Sequence, residues 1–80
     1  MRQVSIGVDL GGTRIRAARL DEHLNIEERH ETLTRGADGF DATLQRIKDL
    51  IRQVMPADGA RLQGIGVSAP ETGVSTVSEA

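Results

Sequence analysis

Between Val4 and Leu10 apolar residues alternate with Ser5, Gly7 and Asp9. A period of two is the pattern of a strand with one strongly apolar face. Gly11-Gly12-Thr13 follows at once, and adjacent glycines take the positive φ of a tight hairpin turn at little steric cost. Residues 14–20, with their β-branched and alternating positions, are therefore predicted as the returning strand. Asp21 to Asn25 reads as the next turn. Residues 26–34 are strongly polar and fit a third strand at a sheet edge, where charge is tolerated.

Gly36-Ala37-Asp38-Gly39 reads as a loop, with Asp38 as the N-cap of a helix. Phe40, Leu44, Ile47, Ile51, Val54 and Met55 then recur three or four apart, which predicts an amphipathic helix with Phe40 and Met55 in its core stripe. Asp41 and Arg52 complement the two ends of its dipole, and Pro56 with Asp58-Gly59 stops it. Leu62, Ile65 and Val67 among glycines predict a buried strand ended by Pro70. A helix between strands returns the chain parallel to a strand already in the sheet, most simply the first, by a right-handed crossover. The expected class is α/β, in the order β-β-β-α-β within a mixed sheet. Residues 72–77 have room for a short hairpin arm.

Composition narrows the picture. Eighty residues with no cysteine and a single aromatic, Phe40, leave a thin core of Val, Ile, Leu, Ala and Met. Neither disulfides nor a Cys/His zinc site reinforces it, so stability rests on packing within the chain or against further chain. Ten basic and twelve acidic residues, for a net charge of −2, give no electrostatic footprint for nucleic acid or an anionic membrane. The apolar N-terminal stretch is too short for a signal segment or a membrane span, which makes the cytoplasm the expected compartment.

The run with chemical content is Asp9-Leu10-Gly11-Gly12-Thr13-Arg14. Backbone N–H groups in a glycine turn are unshielded and can converge on phosphate oxygens. Thr13 adds a hydroxyl and Arg14 a positive charge. Asp9 repels bare phosphate, so it makes sense there with a cation between them, Mg²⁺ held through water. Gly7 and Gly12 have the spacing of a P-loop, but Thr13 and Arg14 stand where Lys and Ser/Thr are required, and no G-x-G-x-x-G occurs. Two readings of the residues remain at this point, a phosphate nest and a purely structural type I′ hairpin turn beside a surface Asp. Elsewhere, His23 and His30 lack clustered partners and read as solvated. Ser68 is not in a nucleophile elbow. Arg16, Arg19, Glu28, Arg29 and Glu31 read as a charged sheet surface, from which Arg16 can approach a ligand.

The stretch from Ile6 to Ala18, centred on Asp9-Leu10-Gly11-Gly12-Thr13-Arg14, resembles the first phosphate motif of the ROK family (repressors, open reading frames and kinases). Gly64-Ile65-Gly66-Val67-Ser68-Ala69-Pro70 is similar to the family's fourth strand and the loop after it, and the resemblance spans residues 4–74. It implies the actin-like (ribonuclease H-like) ATPase fold, with residues 1–80 as an incomplete N-terminal phosphate-binding part, and a glucokinase-like transfer of phosphate from ATP to a hexose. Carried over by position, it implies that Gly11, Gly12 and Thr13 embrace the β- and γ-phosphates of ATP. It also implies that Asp9 orients Mg²⁺ and that Arg14 lies close to the phosphates. The implied full-length protein binds ATP and a hexose and is a homo-oligomer.

The family's catalytic Asp, its zinc-binding His and Cys cluster and its sugar-reading Glu and His lie further along than these residues. No catalytic residue is therefore expected here, and the chain alone is expected to be inactive. Family members carry additional Gly, Pro and Asp residues where Pro70 here runs directly into Glu71-Thr72-Gly73, so no sugar-side role carries over to Ala69 or Pro70. The alternatives are a sugar-responsive repressor of the same family, whose winged helix would precede the first strand, and another actin-like ATPase.

Overall fold

The computed structural model describes residues 2–69 and 73–78. Strands β1 (Gln3–Leu10), β2 (Arg14–Asp21) and β3 (Ile26–Leu33) are followed by a 3-10 turn at Gly36–Asp38 and helix α1 (Phe40–Val54). The chain then forms β4 (Arg61–Ala69) and β5 (Gly73–Ser78). The sheet order is β3-β2-β1-β4-β5, so the polar strand is at an edge as expected. β1, β2 and β3 form an antiparallel meander, and β4 returns parallel to β1, as the crossover rule requires. β5 pairs antiparallel with β4 and turns the hairpin arm foreseen near residues 72–77 into a fifth strand. The junction from Pro70 to Thr72, where the sequence departs from the family pattern, lies outside the described residues.

Register explains the core. Ile6 and Val8 of β1 stand opposite Ile65 and Val67 of β4, and Val8 and Leu10 stand opposite Ala17 and Ile15 of β2. The period-two residues thus share the face that α1 covers. Ile6, Val8, Ile15, Ala17, Leu50 and Val54 form the buried cluster, with Ile47, Ile51, Leu62, Ile65 and Val67 packed around it. The opposite face carries Gly7, Ala18 and Gly66 in one row across three strands.

Three sequence expectations are corrected. The helix buries Leu50 and Val54, whereas Phe40 is 77% exposed and Met55 40% exposed, so neither belongs to the core. The stripe predicted through Phe40, Leu44, Ile47, Ile51, Val54 and Met55 holds at Ile47, Ile51 and Val54, which pack in or against the core, and fails at Phe40, Leu44 and Met55, which are exposed. The line that meets the sheet runs through Ile47, Leu50 and Val54, because α1 lies over β3, β2 and β1. Asp38 is not the N-cap. Gly39 occupies that place with φ 100°, a backbone state that glycine takes freely, and Asp38 instead ion-pairs with Arg46. Arg19, expected on a solvated sheet surface, has only a 15% exposed side chain and donates to the carbonyls of Val54 (2.8 Å) and Met55 (3.1 Å). It satisfies orphan carbonyls at the end of α1 and places positive charge at the negative pole of the helix.

Candidate phosphate-binding turn

The β1–β2 ladder ends at the pair Leu10 and Ile15, and one further bond, from the Gly11 N–H to the Arg14 carbonyl at 3.0 Å, closes the hairpin. Gly12 and Thr13 form its exposed tip. The expected positive φ is absent. Among the described residues the glycines in that region are Gly39 and Gly59, not Gly11 or Gly12, so this is not a type I′ turn.

The two glycines are there for different reasons. A Cβ on Gly11 would lie 2.9 Å from the Arg14 carbonyl oxygen, closer than a carbon can sit, so the closed hairpin itself excludes a side chain. A Cβ on Gly12 would meet nothing within 4 Å. Neither crowding nor backbone conformation within the fold calls for glycine at position 12. Among the described residues, the N–H groups of Gly12 and Thr13 have no acceptor. The tip of the turn is thus an exposed stretch whose two N–H donors are unpaired among the described residues.

Its inner side is firmly held. Thr34, just past β3, donates its hydroxyl to the Gly11 carbonyl at 2.8 Å and its N–H to the Thr13 carbonyl at 2.9 Å. The Thr34 carbonyl in turn accepts from Arg46 of α1 at 2.8 Å. Neither residue stands out in the sequence, because nothing in a polar strand end or an amphipathic helix marks a side chain whose partners are distant carbonyls.

Asp9 is exposed at the end of β1, level with Arg16 on one side and Ser68 on the other. Among the described residues its carboxylate makes no hydrogen bond or ion pair. Arg14 and Arg16 project from the same face of β2 and share one carboxylate, at 3.0 and 3.1 Å from the oxygens of Glu31. The hydrogen bond from Arg16, with the charges of both arginines, holds the Glu31 carboxyl below its ordinary value of 4.5. Asp9, Gly11, Thr13, Arg14 and Arg16 line a groove of about 270 Å³ beside the turn. Four of the five predicted site residues therefore line one groove, and the fifth, Gly12, is not among its lining residues.

Two arginines set against Asp9 and Glu31 leave this patch with little net charge. Any attraction for an anion there would have to come from the N–H groups of the tip rather than from net charge. Among the described residues no three His, Cys, Asp or Glu side chains gather to cage a metal. A lone free carboxylate suits a hydrated Mg²⁺ that arrives with phosphate oxygens as its other ligands. No helix among the described residues is long and apolar enough to cross a membrane.

No protein-family profile and no curated protein matches the sequence. Among solved structures, a ROK family glucokinase from Streptomyces griseus, crystallised in complex with glucose and AMPPNP, is similar over 82% of this chain at 26% identity and a TM-score of 0.69. The chain spans 20% of the length of that glucokinase. The ROK resemblance carried by Asp9 to Arg14 thus has a counterpart in three dimensions, and the β-β-β-α-β portion of the sheet is that of the actin-like ATPase fold as a ROK family glucokinase builds it.

Proposed function

We propose that this chain is the phosphate-clamping segment of an ATP-dependent sugar kinase of the glucokinase type. The observation that carries the reading is Gly12, a glycine with no structural requirement among the described residues, exposed at the tip of a turn whose N–H groups find no acceptor among those residues. A glycine without a conformational or packing role is explained by something that must approach the backbone from outside. Phosphate oxygens are suited to that approach, and the similar glucokinase was solved with AMPPNP and glucose.

On this reading the N–H groups of Gly12 and Thr13 bind oxygens of the terminal phosphates, and the Thr13 hydroxyl adds a donor. Arg14 swings between Glu31 and the nucleotide, which keeps the cation oriented before the ligand arrives. Asp9 would hold Mg²⁺ through water, and the ion would supply charge neutralisation on the phosphates. Phosphoryl transfer depends mainly on positioning and electrostatic stabilisation, and these residues contribute both. By the family resemblance, the base that takes the sugar hydroxyl proton and the groups that read the sugar come from sequence beyond residue 80.

Calorimetric titration with Mg·AMPPNP of the wild-type chain and of Gly12→Asn tests the clamp. A side chain on residue 12 leaves the turn intact but blocks its outer side, so affinity should fall about ten- to a hundredfold, the worth of a lost hydrogen bond to a charged group. Wild-type affinity in a folded Gly12→Asn chain would refute the assignment. Sugar-dependent ADP formation by the 80-residue chain should stay at background.

A further inference from the structure

We propose that Thr34 is the positioning residue of the phosphate-binding turn and fixes, from behind, the direction in which the Gly12 amide faces. The inference rests on the phosphate-clamp reading above and adds to it a residue outside the motif.

The geometry is that of the peptide plane. In a trans peptide the carbonyl of one residue and the N–H of the next are antiparallel and rigidly coupled. The Thr34 hydroxyl draws the Gly11 carbonyl inward at 2.8 Å, so the N–H of Gly12 is turned outward, toward the place a ligand would occupy. The Thr34 N–H holds the Thr13 carbonyl at 2.9 Å, so both ends of the two-residue tip are tied to one anchor. A glycine pair without such a tether rotates freely about φ and ψ and would have to be ordered on binding. The tether removes that cost beforehand.

The anchor is itself held. Thr34 is the buried polar residue of the described chain, 8% exposed. Its carbonyl accepts from the Arg46 guanidinium at 2.8 Å, and the same guanidinium ion-pairs with Asp38 ahead of α1. A continuous brace runs from Asp38 through Arg46 and Thr34 to Gly11, and couples the helix to the turn. The Thr34 hydroxyl faces the turn's carbonyl, so it acts through the backbone and touches no ligand.

The test is amide-resolved NMR titration of the chain with Mg·AMPPNP, comparing wild type with Thr34→Ser, which keeps the hydroxyl, and Thr34→Val, which keeps the shape. Wild type should show ligand-dependent shifts of the Gly12 and Thr13 amides. Thr34→Val should bind about three- to tenfold more weakly, the worth of one organising hydrogen bond, and Thr34→Ser should bind within about twofold of wild type. A role in stability alone would lower the melting temperature of Thr34→Val while leaving the affinity of its folded form unchanged, and that result overturns the proposal but spares the clamp. Absence of shifts at Gly12 and Thr13 in wild type overturns the clamp reading and this proposal with it. Should Thr34→Val fail to fold, Arg46→Gln releases the anchor one step back. It should weaken binding about two- to threefold, and unchanged affinity there counts against the brace.

Discussion

Substituting each glycine of the turn by alanine separates the roles that the structure assigns them. At Gly11 the new methyl would sit 2.9 Å from the Arg14 carbonyl oxygen, a backbone atom already committed to the Gly11 N–H at 3.0 Å. The clash is relieved only by opening the hairpin-closing bond or bending the ladder behind it, a cost of about 1–3 kcal/mol for overpacking. At Gly12 the methyl meets nothing within 4 Å and the backbone is outside the left-handed region. There the dominant effect is the reduced freedom of the unfolded chain, which stabilises by about 0.4–1 kcal/mol. For a domain of this size each kcal/mol moves Tm by about 4–8 °C. Gly11→Ala should therefore melt at least about 4 °C below wild type and Gly12→Ala at or slightly above it, in thermal scans followed by circular dichroism. The two variants should part again on binding, where Gly12→Ala combines full stability with weakened Mg·AMPPNP affinity. Equal destabilisation of both would show that the turn needs glycine at position 12 for its own conformation and would remove the main support for a ligand there.

Asp9→Asn should leave stability within about 0.5 kcal/mol of wild type, since the carboxylate is exposed and makes no ion pair among the described residues, yet it should reduce the gain in AMPPNP affinity that Mg²⁺ provides. Titrations with and without Mg²⁺ read this directly, and an undiminished gain would free Asp9 of any part in holding the ion. In the core, Leu50→Ala removes a side chain that is 2% exposed and should cost about 2–5 kcal/mol, whereas Phe40→Ala, at 77% exposure, should change stability by no more than about 0.5 kcal/mol. Urea denaturation of the pair checks which flank of α1 meets the sheet. Glu31 is held below its ordinary 4.5 by Arg16 and Arg14, so its ion pairs stabilise the fold above that value and lose their effect as pH falls through the lower folded value. The difference in urea midpoint between wild type and Glu31→Gln should be greatest near neutrality, begin to fade as pH falls past 4.5, vanish only below the lower folded value, and shrink in salt. A difference that persists in acid would mean that the carboxylate is not what Arg14 and Arg16 respond to.

What the sequence discloses follows from where each signal resides. Val4, Ile6 and Val8 repeat every second residue, and that period, with the crossover rule, is sufficient to place β1 beside β4 in parallel and to put one face under the helix. Asp9 to Arg14 form a contiguous run, so their convergence on one turn is legible from the order of residues alone. The helix and much of its covered face are legible, since Ile47, Ile51 and Val54 pack as the period predicts, but Phe40 and Met55 look like core by hydrophobicity and only the sheet decides how far the covered face extends. The two glycines read together as a positive-φ pair, since glycine is written identically whether it is needed for conformation, for a close contact or for a ligand. The fold assigns Gly11 a close contact and leaves Gly12 without an internal cause. Thr34, Arg46 and Arg19 are illegible for one physical reason. Each acts by donating to main-chain carbonyls that only the folded chain brings within reach, and a carbonyl carries no sequence identity to pair with. A motif can therefore announce which backbone will face a ligand, but the side chains that aim that backbone must be found by asking which buried donors hold its carbonyls. On the phosphate-clamp proposal Thr34 answers that question here, and a substitution at this residue, remote from the motif in sequence, should loosen the clamp without altering any group the nucleotide would touch.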